Sequence, residues 1–352
     1  MNLDDLDAMR ALDTQNFIND VDGLPDQVAQ AWALARGYDL PGSFRGVRQI
    51  IIAGMGGSAI GGSLVQAQVA ETCGVPLSVL RDYALPASAG PDTLLIASSH
   101  SGNTEETLTA TQAALQRGAH VLAITRGGKL GQLAQQANCP VWRFEHNGQP
   151  RAAVGFSVML TLAALVRLGL VPDPSGEVAG AVAAMRAQQQ RLRAGVLVTA
   201  NPAKRMAGQI MDRIPLIFGA DRLAPVARRW KGQFNEVAKS VAVYDELPEM
   251  DHNSVVGTMY PEKLVGKFLA LFLRSRFEHP RNGRRAEVTR EIYMTAGFNT
   301  DAVEAAGDSP LAHLFTTVHF GDYIAYYLAI ANGVDPSPVP QIDYLKEQLS
   351  QS

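Results

Sequence analysis

The sequence predicts an α/β protein built from two similar domains in tandem, each a doubly wound, mainly parallel sheet flanked by helices. Three observations carry that prediction. Short β-branched runs alternate with helical stretches, the rhythm of βαβ units, whose right-handed crossovers put helices on both faces of a sheet. The 352 residues exceed what one small core organises, so two domains of ordinary size are expected. The stretch LVPDPSGE (170–177) breaks the alternation with two prolines and a glycine, the composition of a boundary.

The elements follow in order. Residues 1–40 read as helical, with polar turns at 22–25 and 41–42. RQIIIAG (48–54) is a β-branched strand ending in glycine, and SAIGGSLVQAQVA (58–70) is helical. PLSVLRDY (76–83) and DTLLIASS (92–99) read as strands, and NTEETLTATQAALQRG (103–118) as a helix. AHVLAIT (119–125) is strand, GKLGQLAQQAN (128–138) helix and PVWRFE (140–145) strand. The apolar run VGFSVMLTLAALVRLGLV (154–171) is interrupted by Ser157 and Arg167, so it reads as a helix, either buried or facing a dimer partner. A long helix is expected over 177–195. The second half repeats the rhythm more weakly: strand at 214–220, helix at 223–239, strand at 241–247. EKLVGKFLALFLRS (262–275) fits either a helix running into a strand or a strand alone, and AEVTREIYM (286–294) has no clear period. A long helix over 310–333 stops at Gly333, and IDYLKEQLS forms a last one. The expected division is a helical segment at 1–40, a first domain at 41–172, a second at 173–335 led by the long helix, and a helical tail at 336–352.

Composition excludes several function classes. Hydrophobic residues make up 47% and charged residues 18%, which suits a compact globule rather than a disordered chain. The formal net charge of −3 supplies no electrostatic grip on nucleic acid or an acidic membrane. The basic clusters ARRWK (227–231) and RNGRR (281–285) are short enough to be solvated surface. Two cysteines, Cys73 and Cys139, cannot build a disulfide scaffold, and no CxxC or His-rich spacing suggests a metal. The acidic, amphipathic start MNLDDLDAMRALD is unlike a signal peptide, so a cytoplasmic protein without membrane partners is expected.

Two glycine- and hydroxyl-rich turns carry the chemistry. In IIIAGMGGSAIGG (50–62), Gly54, Gly56 and Ala59 match GxGxxG/A between a strand and a helix. Such a turn lets the backbone approach a phosphate at a helix N-terminus; a dinucleotide is one ligand that fits, with Asp82 as the ribose acid. In LLIASSHSGNTEET (94–107), Ser98, Ser99, Ser101 and Thr104 fall where a second strand ends and a helix begins. A helix cap needs one hydroxyl, and Thr104 with Glu105 and Glu106 would suffice. Several hydroxyls around a glycine instead make an anion site sized for a phosphomonoester, with Ser58 from the neighbouring turn completing it.

GMGGSAIGG followed by SHSGNTEET resembles the sugar isomerase (SIS) domain, a doubly wound fold that binds phosphosugars. With PRAAVGFS (150–157), WKGQFNEVAKSVAVYDELPEMDHNSVVG (230–257) and HFGDYIAYYLAIANGVDPSPVPQIDYLKEQL (319–349), nearly the whole chain resembles the bifunctional phosphoglucose/phosphomannose isomerase family.

That resemblance implies tandem SIS domains, a homodimer, and isomerisation of glucose 6-phosphate, with mannose 6-phosphate also accepted, to fructose 6-phosphate through a cis-enediolate. No cofactor or metal is implied. It assigns the phosphate to Ser58, Ser99, Ser101 and Thr104, with Gly56 and Gly57 as the substrate-binding backbone turn. Glu236 becomes the proton shuttle between C2 and C1, a role that suits a carboxylate; most glutamates at such positions are plain helix surface. His252 opens the ring and reaches the site from the partner subunit. Lys346, on the tail that reaches the active site, stands beside the ring oxygen, and Arg151 faces the enediolate. Ser337 is the candidate mannose-specificity position, with Val339 the alternative alignment. His100 stands where the family often has tyrosine; it points away from the phosphate or adds a titrating donor to it. The competing functions are a non-catalytic phosphosugar regulator, a nicotinamide oxidoreductase resting on the glycine turn alone, and an amide-transferring synthase, for which no glutaminase domain is present.

Overall fold

The computed structural model describes residues 2–350. Three short helices lead the chain: α1 (Leu6–Leu12), α2 (Phe17–Asp22) and α3 (Leu24–Ala35). The first sheet follows, as β1 (Gln49–Ala53), α4 (Gly56–Val69), β2 (Leu77–Leu80), β3 (Thr93–Ser99), α5 (Glu105–Gln116), β4 (His120–Thr125), α6 (Gly128–Gln136) and β5 (Val141–Arg143). All its strands are parallel, in the order β2-β1-β3-β4-β5. Central β3 is buried along its whole length, as a strand covered on both faces must be.

Helices α7 (Val154–Arg167), α8 (Ser175–Gln189) and α9 (Pro202–Ile210) join the halves. The second sheet comprises β6 (Ile214–Ala220), α10 (Ala224–Glu236), β7 (Val243–Leu247), β8 (Phe268–Arg274), α11 (Pro280–Thr295) and β9 (Asn299–Glu304), closed by α12 (Pro310–Ala331) and α13 (Pro340–Ser350). Its parallel order β7-β6-β8-β9 repeats that of the first sheet without a fifth strand. Tandem doubly wound sheets are therefore the observed architecture. In both sheets the order reverses beside the first strand, and ligands of open α/β sheets bind outside the strand ends at that point.

Several expectations sharpen. The apolar stretch 154–171 holds α7, buried against α3 and α4 of its own chain, so its apolarity is spent internally. The ambiguous 262–275 is a short 3-10 turn, Glu262–Lys267, running into β8. The helix expected over 177–195 ends at Gln189, and α9 and β9 have no counterpart in the sequence pattern. No helix among the described residues is long and apolar enough to cross a membrane.

One apolar core runs from Val28 of α3 through Leu160 of α7 and Met185 of α8 to Phe315 and Tyr323 of α12. His319 of α12 lies wholly inside it, with Nε2 donating to the Val21 carbonyl at 2.9 Å and Nδ1 without a partner among the described residues. Burial pushes its pKa down to about 4. The unfolded chain takes up a proton near pH 6.5 that the native state refuses until about pH 4, so stability falls as pH falls through that window. We expect the urea midpoint to drop between pH 7 and 4.5, by an amount worth on the order of 3 kcal/mol at the acid end. The drop should shrink in His319→Gln; an unchanged pH slope in that variant would refute the assignment.

Candidate active site

The turns after β1 and β3 stand side by side because those strands pair, Ala53 opposite Ala97. Close packing there excludes side chains. A Cβ on Gly54 would lie 2.8 Å from the Ser98 carbonyl oxygen, and one on Gly57 2.8 Å from that of Pro150. Gly102, at φ +70°, has its Cα face against the Gly127 carbonyl, a place and a conformation only glycine tolerates. Gly56 begins α4 at φ +47° after Met55, which offers no side-chain cap, so the first N–H groups of α4 lack intrahelical partners. Asp82 accepts the N–H of its neighbour Tyr83 at 2.6 Å.

Two hydroxyls of the second turn, those of Ser99 and Thr104, face one another. Ser99 Oγ lies 2.9 Å from Thr104 Oγ1 and accepts the Gly102 N–H at 3.1 Å. Ser101 Oγ accepts the Asn103 N–H at 3.2 Å. Thr104 occupies the N-cap position of α5, yet its hydroxyl makes no capping bond and turns to Ser99 instead. Capping therefore does not explain the cluster. Ser58, in the first turn of α4, is buried with only 8% exposure, whereas Ser101 is exposed. His100 points away from these hydroxyls: its Nε2 lies 3.1 Å from Nδ1 of His146, and its ring meets Phe144 edge-on.

Arg151 sits beside the first turn, its Cα 3.4 Å from where a Gly57 Cβ would be. Its guanidinium is buried over the Phe17 ring and donates to the carbonyls of Pro336 at 2.9 Å and Ser337 at 2.5 Å. Burial lowers its pKa, while nearby Glu236, Asp20 and Asp335 work in the opposite direction. Arg151 Nε and Ser337 Oγ, both buried, have no partner among the described residues.

Glu236 is the last residue of α10, half-buried. Arg229, Gln233 and Glu236 share one stripe of that helix. Arg229 pairs with Asp322 of α12 at 2.7 Å and also donates to the Arg151 carbonyl, and Gln233 donates to Asp322 at 2.8 Å. A carboxylate at a helix C-terminus meets the negative end of the dipole, and cations must offset this. Arg151 is one. Lys239 is the other, unanticipated from the sequence: at φ +55° it folds back so that Nζ donates to the Glu236 carbonyl at 2.6 Å and the Pro336 carbonyl at 3.2 Å. Burial and then Arg151 bring its pKa down to about 8, against Asp335 and Glu236. Only the unusual backbone conformation brings this amine to the site, and spacing does not announce that.

The remaining candidates are apart. His252, exposed, ends the 3-10 turn Glu249–His252, and Lys346 is exposed on α13. Neither is bonded to Glu236 or Arg151 among the described residues. Ser337 is 1% exposed and Val339 half-buried, so of the two only Ser337 is enclosed, its carbonyl on Arg151. A groove of about 1240 Å³ between α8, α9 and β9 holds none of these residues. It runs beside β9, where the second sheet lacks a fifth strand.

Residues 43–167 match the SIS domain family, and residues 199–349 match the bacterial phospho-glucose isomerase C-terminal SIS domain. A bifunctional phosphoglucose/phosphomannose isomerase of Caldicellulosiruptor bescii is 36% identical over 329 residues, 93% of this chain and 97% of the relative. One from Aquifex aeolicus is 34% identical, covering 85% of this chain and 90% of the relative. The crystal structure of a glucose-6-phosphate isomerase like protein from Thermus thermophilus superimposes with a TM-score of 0.65 at 20% identity, over 96% of this chain and 98% of that one.

Proposed function

This chain belongs to the bifunctional phosphoglucose/phosphomannose isomerase family, and we propose on that basis that it interconverts glucose 6-phosphate and mannose 6-phosphate with fructose 6-phosphate. The observation that carries the reading is the hydroxyl cup itself. Ser99 and Thr104 turn toward each other at the mouth of α5, beside the uncapped start of α4.

In this reading the phosphate is held by Ser58, Ser99, Ser101 and Thr104 and by the N–H groups of Gly56 and Gly57. The sugar then extends toward Arg151 and Glu236. His252 of the partner subunit opens the ring, with Lys346 beside the ring oxygen, and the exposure of both residues in the single chain fits a site finished by dimerisation and by docking of α13. The Glu236 carboxylate takes the proton from C2 of the open-chain aldose, and the enediolate oxygens gain negative charge. Arg151, held by the Pro336 and Ser337 carbonyls, then stabilises that charge without reorganising. The O2 proton passes to O1 and Glu236 returns the carbon-bound proton to C1, giving the ketose. Ser337, whose Oγ has no partner among the described residues and whose carbonyl binds Arg151, then meets the C2 substituent and lets both epimers be accepted.

The test is incubation of the protein with glucose 6-phosphate and with mannose 6-phosphate in D₂O, each followed by proton NMR. Fructose 6-phosphate from both, with deuterium at the transferred position, is expected. Product from glucose 6-phosphate alone would remove the mannose claim, and line broadening without product would indicate a phosphosugar-binding regulator.

A further inference from the structure

Behind the hydroxyl cup lies a line of polar side chains that the proposed reaction does not use. His100 leads from the cup to His146, whose Nε2 faces Asp20 Oδ1 of α2 at 3.8 Å. At 3.8 Å this is a charge contact rather than a hydrogen bond; a proton on His146 Nε2 suits it and leaves Nδ1 to accept from His100 Nε2–H. The rings are boxed by Phe144 and Phe156, which stack on each other with centroids 4.7 Å apart. Burial holds His100 down to about 4 and lowers His146 as well, so both rings are neutral near pH 7 and can donate and accept in sequence.

Asp20 has a second reach. The nearby Gln149 backbone N–H favours its charged form, and its charge acts on Arg151. Gly148 leaves it room: a Cβ there would lie 2.2 Å from Asp20 Oδ2. The segment 146–151 is thus tied to one carboxylate, with His146 at one end and Arg151 at the other. His146 touches the serine-bearing turn; Arg151 faces the reacting carbons in the proposed function.

We infer that Asp20 and His146 are positioning residues for the substrate site, Asp20 setting both the phosphate turn, through His146 and His100, and Arg151, through the 148–151 backbone. The leading helices then form a wall of the active site as well as a packing layer. This rests on the phosphate reading above. It differs from a merely structural role because the two ends should respond differently to mutation.

The experiment uses the full-length wild-type protein, His146→Phe, Asp20→Asn and Ser99→Ala, with inorganic phosphate as competitive probe and glucose 6-phosphate as substrate. His146→Phe loses one hydrogen bond behind the cup. It should raise the phosphate Ki and the substrate KM together by about five- to tenfold, with kcat within about twofold. Asp20→Asn should raise both similarly and also lower kcat about tenfold, because Arg151 is released as well. The double variant should show a KM no higher than the worse single, since both act on one line. His146→Gln, whose amide oxygen can replace Nδ1 as acceptor, should return Ki toward wild type, and it serves if the phenylalanine variant does not fold. Unchanged Ki and KM in folded His146→Phe and Asp20→Asn would overturn the inference, as would a fall in kcat alone in His146→Phe. If Ser99→Ala leaves the phosphate Ki unchanged, the phosphate reading itself fails. If Ser99→Ala raises Ki while the other variants do not, only the present inference fails.

Discussion

Glu236→Gln is expected to lower kcat for glucose 6-phosphate by about 10²–10⁴-fold while KM changes by less than about threefold. The amide keeps the shape of the side chain but has no basic oxygen to take the C2 proton. Arg151 keeps its carbonyl partners and Lys239 keeps the Glu236 main-chain carbonyl, so binding should survive the substitution. Deuterium exchange at C2 should disappear in parallel with turnover, because one carboxylate performs both. A variant with intact turnover would require another shuttle. A variant that instead lost phosphate affinity would show that α10 moves when the charge is removed.

The second large effect concerns stability. Asp322→Ala leaves the Arg229 guanidinium buried without its carboxylate, 2% of its side chain exposed, and removes the acceptor of Gln233. Breaking such a pair typically costs about 3–5 kcal/mol. Urea unfolding should show the midpoint falling accordingly. Asp322→Asn, which retains an acceptor, should cost less. Replacing both partners with apolar residues, Arg229→Met with Asp322→Leu, should recover much of the loss, because the penalty is an unpaired buried charge rather than a missing attraction. A double variant as unstable as Asp322→Ala would contradict this. Arg229 also donates to the Arg151 carbonyl, so reduced kcat in Asp322→Ala measured well below its unfolding transition is expected alongside the lower midpoint.

Much of the first sheet was legible because its strands are bounded by glycine or polar turns and its crossovers are periodic. The second sheet was less so for identifiable reasons. NTDAVE, now β9, is polar because it is an edge strand and needs no apolar alternation. Helix α11 begins at Pro280 under a histidine cap, a start signal weaker than Ser or Asp, and its outer face is charged. The hydroxyl cup could be read because Ser99, Ser101 and Thr104 crowd into one short turn, 99–104. Lys239 could not, because a positive φ turns it back, nor could Asp20 and His146, which meet the cup only through contacts distant in sequence. Local chemistry shows in the order of residues; the groups that aim it are set by tertiary packing.

The hydroxyl cup stands on the first sheet and Glu236 on the second, and the Arg229–Asp322 lock with its bond to the Arg151 carbonyl spans the seam between them. On the proposed reading the protein thereby works as a gauge. A sugar gripped by its terminal phosphate presents to Glu236 whichever carbon lies one fixed span away. A chain one carbon shorter, gripped equally well, would present the wrong carbon. Selection for hexose length would then reside in the rigidity of the seam, in residues that touch no part of the sugar.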